Sequence, residues 1–164
     1  MWRADLRATS DATLRWLASD ERARAARFPV AARGRLWAHA RGVLRALLGA
    51  YLEEDPRALR FEADAGGKPR LAGHPDRAIS FNLSHSGSHA LFAFARAGAV
   101  GIDIECARPG TDRLALAARA FGPSAARRLR TLEDSERERE FLAMWVRREA
   151  LVKCMGTSLL AAPS

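Results

Sequence analysis

Two carboxylates one residue apart open the chemistry of this chain. They are Asp103 and Glu105 in "GIDIE", residues 101–105. On an extended strand, residues i and i+2 point to the same side. The two acids would then stand together while Ile102 and Ile104 pack inward. Adjacent carboxylates repel each other unless a cation lies between them. Oxygen ligands of this kind suit Mg²⁺, which keeps several waters and also binds substrate phosphates. A solvent-facing strand edge with two harmless acids fits the same pattern.

Three further stretches carry reactive side chains. In "FLAMWVRREALVK", Leu142, Val146, Glu149 and Lys153 fall on one helical line. Glu149 and Lys153 thus continue an apolar stripe to the place where the helix leaves the core. The plain alternative is a surface Glu-to-Lys pair one turn apart, worth roughly 0.3–0.5 kcal/mol. "NLSHSG" puts His85, beside Ser84, in a Ser- and Gly-rich turn after a strand. Backbone N–H groups in such turns form anion nests, and an ordinary hairpin loop fits equally well. "GGKP" is a tight turn: Gly67 permits close backbone approach, Pro69 fixes the exit, and Lys68 projects as a point charge. The chain has no GxSxG elbow, no Walker loop, no GxGxxG and no Ser-His-acid arrangement.

The use of lysine sharpens these choices. Of 27 Lys and Arg residues, only Lys68 and Lys153 are lysine, and both lie in these stretches. Arginine grips phosphate bidentately and stays charged, whereas lysine is a compact donor able to release a proton.

The elements that must position these residues are readable from periodicity. Residues 11–28 read as helical with a break near Ser19–Asp20, either of which suits an N-cap. A longer helix runs from Val30 to Tyr51, with Leu36, Trp37, Ala40, Leu44, Leu47, Leu48 and Tyr51 at helical spacing. Arg33, Arg41 and Arg45 form a basic stripe on it, by default a solvated face. Asp55–Pro56 starts a short helix, and Phe61 begins an extended piece. Residues 79–105 read as three strands in a meander, "GIDIE" being the third. Helices follow at Asp112–Phe121, Ser124–Arg130 and about Ser135–Met155, the last closed by Gly156. "AFGPS" is a minor linker. The class is α+β, helices flanking a mostly antiparallel sheet.

At 164 residues with 48% hydrophobic content, the chain suits one medium or two small globular domains. No apolar run reaches the roughly 20 residues needed to span a bilayer, and the N-terminus lacks an apolar signal core. Both features point to a cytoplasmic protein that does not enter membranes. Cys106 and Cys154 fit no zinc or redox spacing and read as free thiols. A net charge of +8 seeks anionic partners, although Arg-rich composition alone produces it.

In order, "GKP", "FNLSHSG", "VGIDIE" and "FLAMWVRREALVK" with its following glycine resemble the 4′-phosphopantetheinyl transferases of the Sfp type. The upstream "RARAARF" and the arginine-rich helix after it extend the resemblance to roughly residues 20–160. The resemblance implies a phosphopantetheinyl-transferase-like α+β fold of two pseudo-duplicated halves, here residues 1–100 and 101–164. The second half ends before the strands that usually complete it. It also implies transfer of the phosphopantetheine arm of coenzyme A to a serine of an apo acyl or peptidyl carrier protein. Such carriers serve fatty acid, polyketide, nonribosomal peptide or siderophore synthesis. Mg²⁺ would sit on Asp103, Glu105 and Glu149. Glu149, Lys153 and His85 would be catalytic. Arg24, Gly67, Lys68, Pro69, Ser84, His85 and Lys153 would hold coenzyme A. Members usually act as monomers.

This chain departs from the pattern at Arg148, where lysine is usual, and in "GTSLL", where a second glycine is usual. The short C-terminus keeps a second reading open: a degenerate member that binds coenzyme A or carrier protein without turnover. A basic nucleic-acid-binding protein is the third reading. It lacks aromatic stacking positions on a basic sheet face and leaves the acid pair unexplained.

Overall fold

A computed structural model describes residues 1–64, 67–73 and 79–156. The first glycine of "GGKP" and everything after Gly156, including the last four residues of "GTSLL", lie outside the described residues. The main sheet has three antiparallel strands in the order β1-β5-β4, where β1 is Trp2–Asp5, β4 is Ser80–Ser86 and β5 is His89–Ala95. Phe81 pairs with Phe94 across β4 and β5, and Trp2 with Phe92 across β1 and β5. A separate hairpin joins β2 (Phe61–Ala63) to β3 (Pro69–Leu71). The N-terminal residues, on which the sequence pattern is silent, form β1. The helical stretch expected over residues 11–28 with a break is a 3-10 helix, Asp11–Trp16, and then α1, Ser19–Ala26, with the break just before Ser19. One expectation changes here. The stretch after Asp55 is a turn rather than a short helix.

The long helix α2, Ala31–Leu52, lies against the sheet because its apolar positions recur at helical spacing. Leu44 and Leu48 are wholly buried, together with Phe81, Phe92 and Leu59. Ala18 is the N-cap of α1, its N–H donating to the Glu21 carboxylate, so Ser19 and Asp20 are inside the helix rather than caps. Glu21 continues inward. Its carboxylate accepts from Arg41 Nε at 2.8 Å and Arg45 Nε at 2.6 Å. The arginines expected on a solvated face are therefore buried, at 9% and 2% exposure, around a glutamate that is 5% exposed. Arg33 alone of that stripe stays in solvent. Arg45 also donates to the carbonyls of Pro56 and Leu59, tying the turn after α2 to the helix.

A second hydrophobic cluster gathers Ala117, Ala126, Leu129 and Phe141 from α3 (Arg113–Phe121), α4 (Pro123–Arg130) and α5 (Asp134–Met155). Asp112 caps α3 by accepting from Ala115 N–H, as its residue type favours. Gly122, at φ 85°, makes the bend before Pro123 starts α4. Trp145 of α5 packs between Phe121 and Phe141. No helix of the described residues is long and apolar enough to cross a membrane.

Residues 99–106 link the two clusters and form no strand. They run beside β4, held by its side chains. Asn82 Oδ1 accepts from Ile102 N–H at 2.9 Å, and Ser86 Oγ accepts from Cys106 N–H at 3.0 Å. The third meander strand is thus replaced by a tether. The reason is the polar alternation of Asn82, Ser84 and Ser86, which satisfies the segment without a backbone ladder. On its other side the segment meets α5 at Gly101. A Cβ there would fall 1.9 Å from Ala150 O and 2.5 Å from Cys154 N. Gly101→Ala is expected to cost about 1–3 kcal/mol through this overpacking. An unchanged urea midpoint would show that the segment moves aside freely.

Candidate active site

The segment 99–106 and the last turns of α5 bring the predicted acids and lysine together. Lys153 Nζ donates to Asp103 Oδ1 at 2.5 Å and to Ser84 Oγ at 3.1 Å, and Ser84 Oγ donates to the same carboxylate oxygen at 2.7 Å. The Asp103 side chain is 4% exposed and that of Lys153 is 30% exposed. Glu105 Oε2 accepts from Ser86 Oγ at 2.8 Å and from Arg108 Nη2 at 3.3 Å. Glu149 lies one turn before Lys153. Its carboxyl is pushed above the ordinary glutamate range, first by burial and then by the charge of Asp103; Glu105 adds to this, while Lys153 and Arg148 oppose it.

These carboxylates suit a divalent cation in chemistry and charge. Asp103 Oδ2 is buried without a hydrogen-bond partner, and Asp103 and Glu105 both repel charge from Glu149. Among the described residues, no three His, Cys, Asp or Glu side chains close around one point as they stand. The Lys153 ammonium instead supplies the positive charge nearest Asp103.

Beside this cluster opens a cleft of about 840 Å³ between α1, α2, the hairpin and β4. Arg24, Gly67, Pro69 and His85, all singled out in the sequence, line it. Arg24 lies over the Trp37 ring at 5.0 Å, and Arg57 and Arg60 add further positive charge to the wall. His85 stands within β4 opposite Ala90, not in the turn, which is formed by Gly87 and Ser88. Its side chain reaches solvent, yet surrounding protein atoms lower its pKa, helped by Lys153 and opposed by Glu105. It therefore favours the neutral ring.

Ser84 is buried and engaged with Asp103 and Lys153, away from the cleft lining. Lys68 does not project from its turn as expected. Its ammonium donates to Val100 O at 2.7 Å and Lys153 O at 2.8 Å. Asp64 explains the direction: its carboxylate accepts from Lys68 N–H and its own N–H donates to Lys68 O, folding the turn back. Glu21, Arg41 and Arg45 also line the cleft; the sequence pattern does not point to Glu21 and leaves the two arginines on a solvated face. A visible signal was their position beside Ala40, Leu44 and Leu48, too close to the buried line for both arginines to escape it.

A family model described as 4′-phosphopantetheinyl transferase, N-terminal, matches residues 1–96. A second, for the 4′-phosphopantetheinyl transferase superfamily, matches residues 99–163. The chain belongs to the 4′-phosphopantetheinyl transferase family. It is 38% identical to the 4′-phosphopantetheinyl transferase HetI of Nostoc sp., over 87% of this chain and 61% of that protein. It is 34% identical to the 4′-phosphopantetheinyl transferase AcpT of Escherichia coli K12, over 70% of this chain and 56% of that protein. This member of the transferase family thus spans about three fifths of the length of those relatives. The two family matches meet between residues 96 and 99, at the start of the segment that carries Asp103 and Glu105.

Proposed function

We propose that this chain supports transfer of phosphopantetheine from coenzyme A to a serine of an apo carrier protein, in the manner of the Sfp-type transferases. The observation that carries the reading is the cluster of Asp103, Ser84, Glu149 and Lys153 beside a cleft walled by arginine. A coenzyme offers three phosphate groups and an aromatic base, which match positive charge and the Trp37 and Phe61 rings. The separate hydrophobic clusters on either side of residue 100 support an organisation in two halves.

In this reading the carrier serine oxygen bonds to the β-phosphorus of the coenzyme pyrophosphate. The bond to the bridging oxygen breaks, and adenosine 3′,5′-bisphosphate leaves. Glu149, with its raised proton affinity, takes the serine proton. Lys153 offers an ammonium to the charge growing on the leaving group. His85, on the cleft wall, holds phosphate by hydrogen bonding. Asp103, Glu105 and Glu149 would hold Mg²⁺, which when bound neutralises charge on the pyrophosphate.

The test is incubation with coenzyme A, Mg²⁺ and several apo carrier proteins, read by mass spectrometry. The expected result is the phosphopantetheine mass increment on a carrier, dependent on Mg²⁺. Coenzyme A binding without any increment would replace this reading by that of a binding protein. Strongly salt-dependent DNA binding without coenzyme A binding would replace it altogether.

A further inference from the structure

We infer that Lys68 is a positioning residue: its ammonium is a strut that holds the Lys153 end of α5 and the Asp103 segment in register. The last carbonyls of a helix have no partner within it. Here Gly156 N–H closes on Val152 O, and Lys68 Nζ takes Lys153 O at 2.8 Å. The same nitrogen takes Val100 O at 2.7 Å, three residues before Asp103. One charged group thus joins the β2–β3 hairpin, the segment at Val100 and the end of α5. A cation at a helix C-terminus is also favoured by the helix dipole.

The geometry explains why this side chain is a lysine. Two carbonyls from different elements converge on one nitrogen, which suits a compact ammonium rather than a planar fork. The strut fixes the backbone of Lys153, whose own ammonium lies on Asp103. Gly101, pressed against α5, leaves the segment no slack between the two anchored points. Lys68 is thereby committed to the protein and is not a phosphate ligand in the cleft. What the positioned groups do rests on the transferase reading; the strut itself does not.

Because the chain has two lysines, competitive amine labelling resolves each of them. The full chain would be treated with trace acetic anhydride, with and without coenzyme A, and acetylation quantified by mass spectrometry. Lys68 is expected to label about tenfold more slowly than lysine in an unstructured peptide, because labelling requires local opening. Coenzyme A should change that rate less than about twofold. Labelling at the peptide rate, or protection that arises only with coenzyme A, would overturn the strut.

Variants give a second reading. In Lys68→Met, amide exchange should speed about tenfold at residues 99–105 and in the last turn of α5, with other elements unchanged. Coenzyme A affinity should hold within about threefold while kcat falls about tenfold, and Lys68→Arg should restore part of kcat. A tenfold loss of coenzyme A affinity with unchanged exchange would make Lys68 a ligand and overturn the inference. If the wild-type chain neither binds coenzyme A nor transfers its arm, the transferase reading fails. Labelling and exchange then still decide the strut.

Discussion

Glu149→Gln is expected to reduce transfer by roughly 10²–10⁴-fold, the range for loss of a general base. Mg²⁺ binding should weaken in parallel. The same variant should be at least as stable as the wild type at neutral pH. In the fold, burial and the Asp103 charge raise the affinity of Glu149 for its proton. A group raised in this way contributes stability below its unfolded pKa, and that contribution is lost as pH rises through the folded pKa. At neutral pH the glutamate side chain is therefore a burden that glutamine removes. The difference should shrink as pH falls below the ordinary glutamate value of about 4.3. Urea melts without divalent cation, at neutral and acid pH, check the sign. Near-normal turnover would remove Glu149 from the mechanism. A variant less stable than wild type at neutral pH would mean that its charge is compensated in the fold.

Glu21→Ala should be the most damaging change outside the cluster of Asp103, Glu149 and Lys153. Glu21, Arg41 and Arg45 are all buried, and the two guanidinium groups share the one carboxylate. Burial disfavours the charged form of Arg41, and Glu21 is its main counterweight. Removing one partner of such a group costs about 3–5 kcal/mol, because a buried charge is left without compensation. Domains have only about 5–15 kcal/mol in total. Glu21→Ala should therefore shift the denaturant midpoint strongly or leave little folded protein. Replacing all three residues by apolar side chains of similar volume should cost far less. Equal losses in the two variants would show that the arginine packing over Phe61, at 4.5 Å and 5.0 Å, matters more than charge.

The parts of this fold that were legible in the sequence are those built by repetition. α2 and α5 were readable within a residue or two at their ends, because each carries an apolar line at helical spacing and Gly156 closes α5. The β4–β5 hairpin was readable from its alternation around a Gly-Ser turn. β1 was not, since most of its residues are exposed and its place depends on pairing with β5 some 90 residues later. The pairs Asp103–Glu105 and Glu149–Lys153 could each be singled out from type and spacing, and only the family resemblance put them in one group. The ammonium-to-Asp103 contact could not, because it joins residues 50 apart. Arg41 and Arg45 misled for a related reason. A helical period shows that they share a face, but not that a glutamate 20 and 24 residues earlier waits opposite. Lys68 could be seen to be unusual, but only folding shows which carbonyls it meets.

The tether between β4 and residues 99–106 makes the strand a ruler. Ser84 holds Asp103 and Ser86 holds Glu105, so each acid is indexed to its own hydroxyl. Successive same-face positions on a strand lie about 6.6 Å apart. The separation of the acids is thus copied from the pitch of β4, the strand whose opposite face, with Phe81, is anchored in the core. Nearby loops can vary in length without altering that separation. A one-residue slip along β4 would instead replace Ser84 and Ser86 by Leu83 and His85, or by His85 and Gly87, and turn the carboxylates loose together.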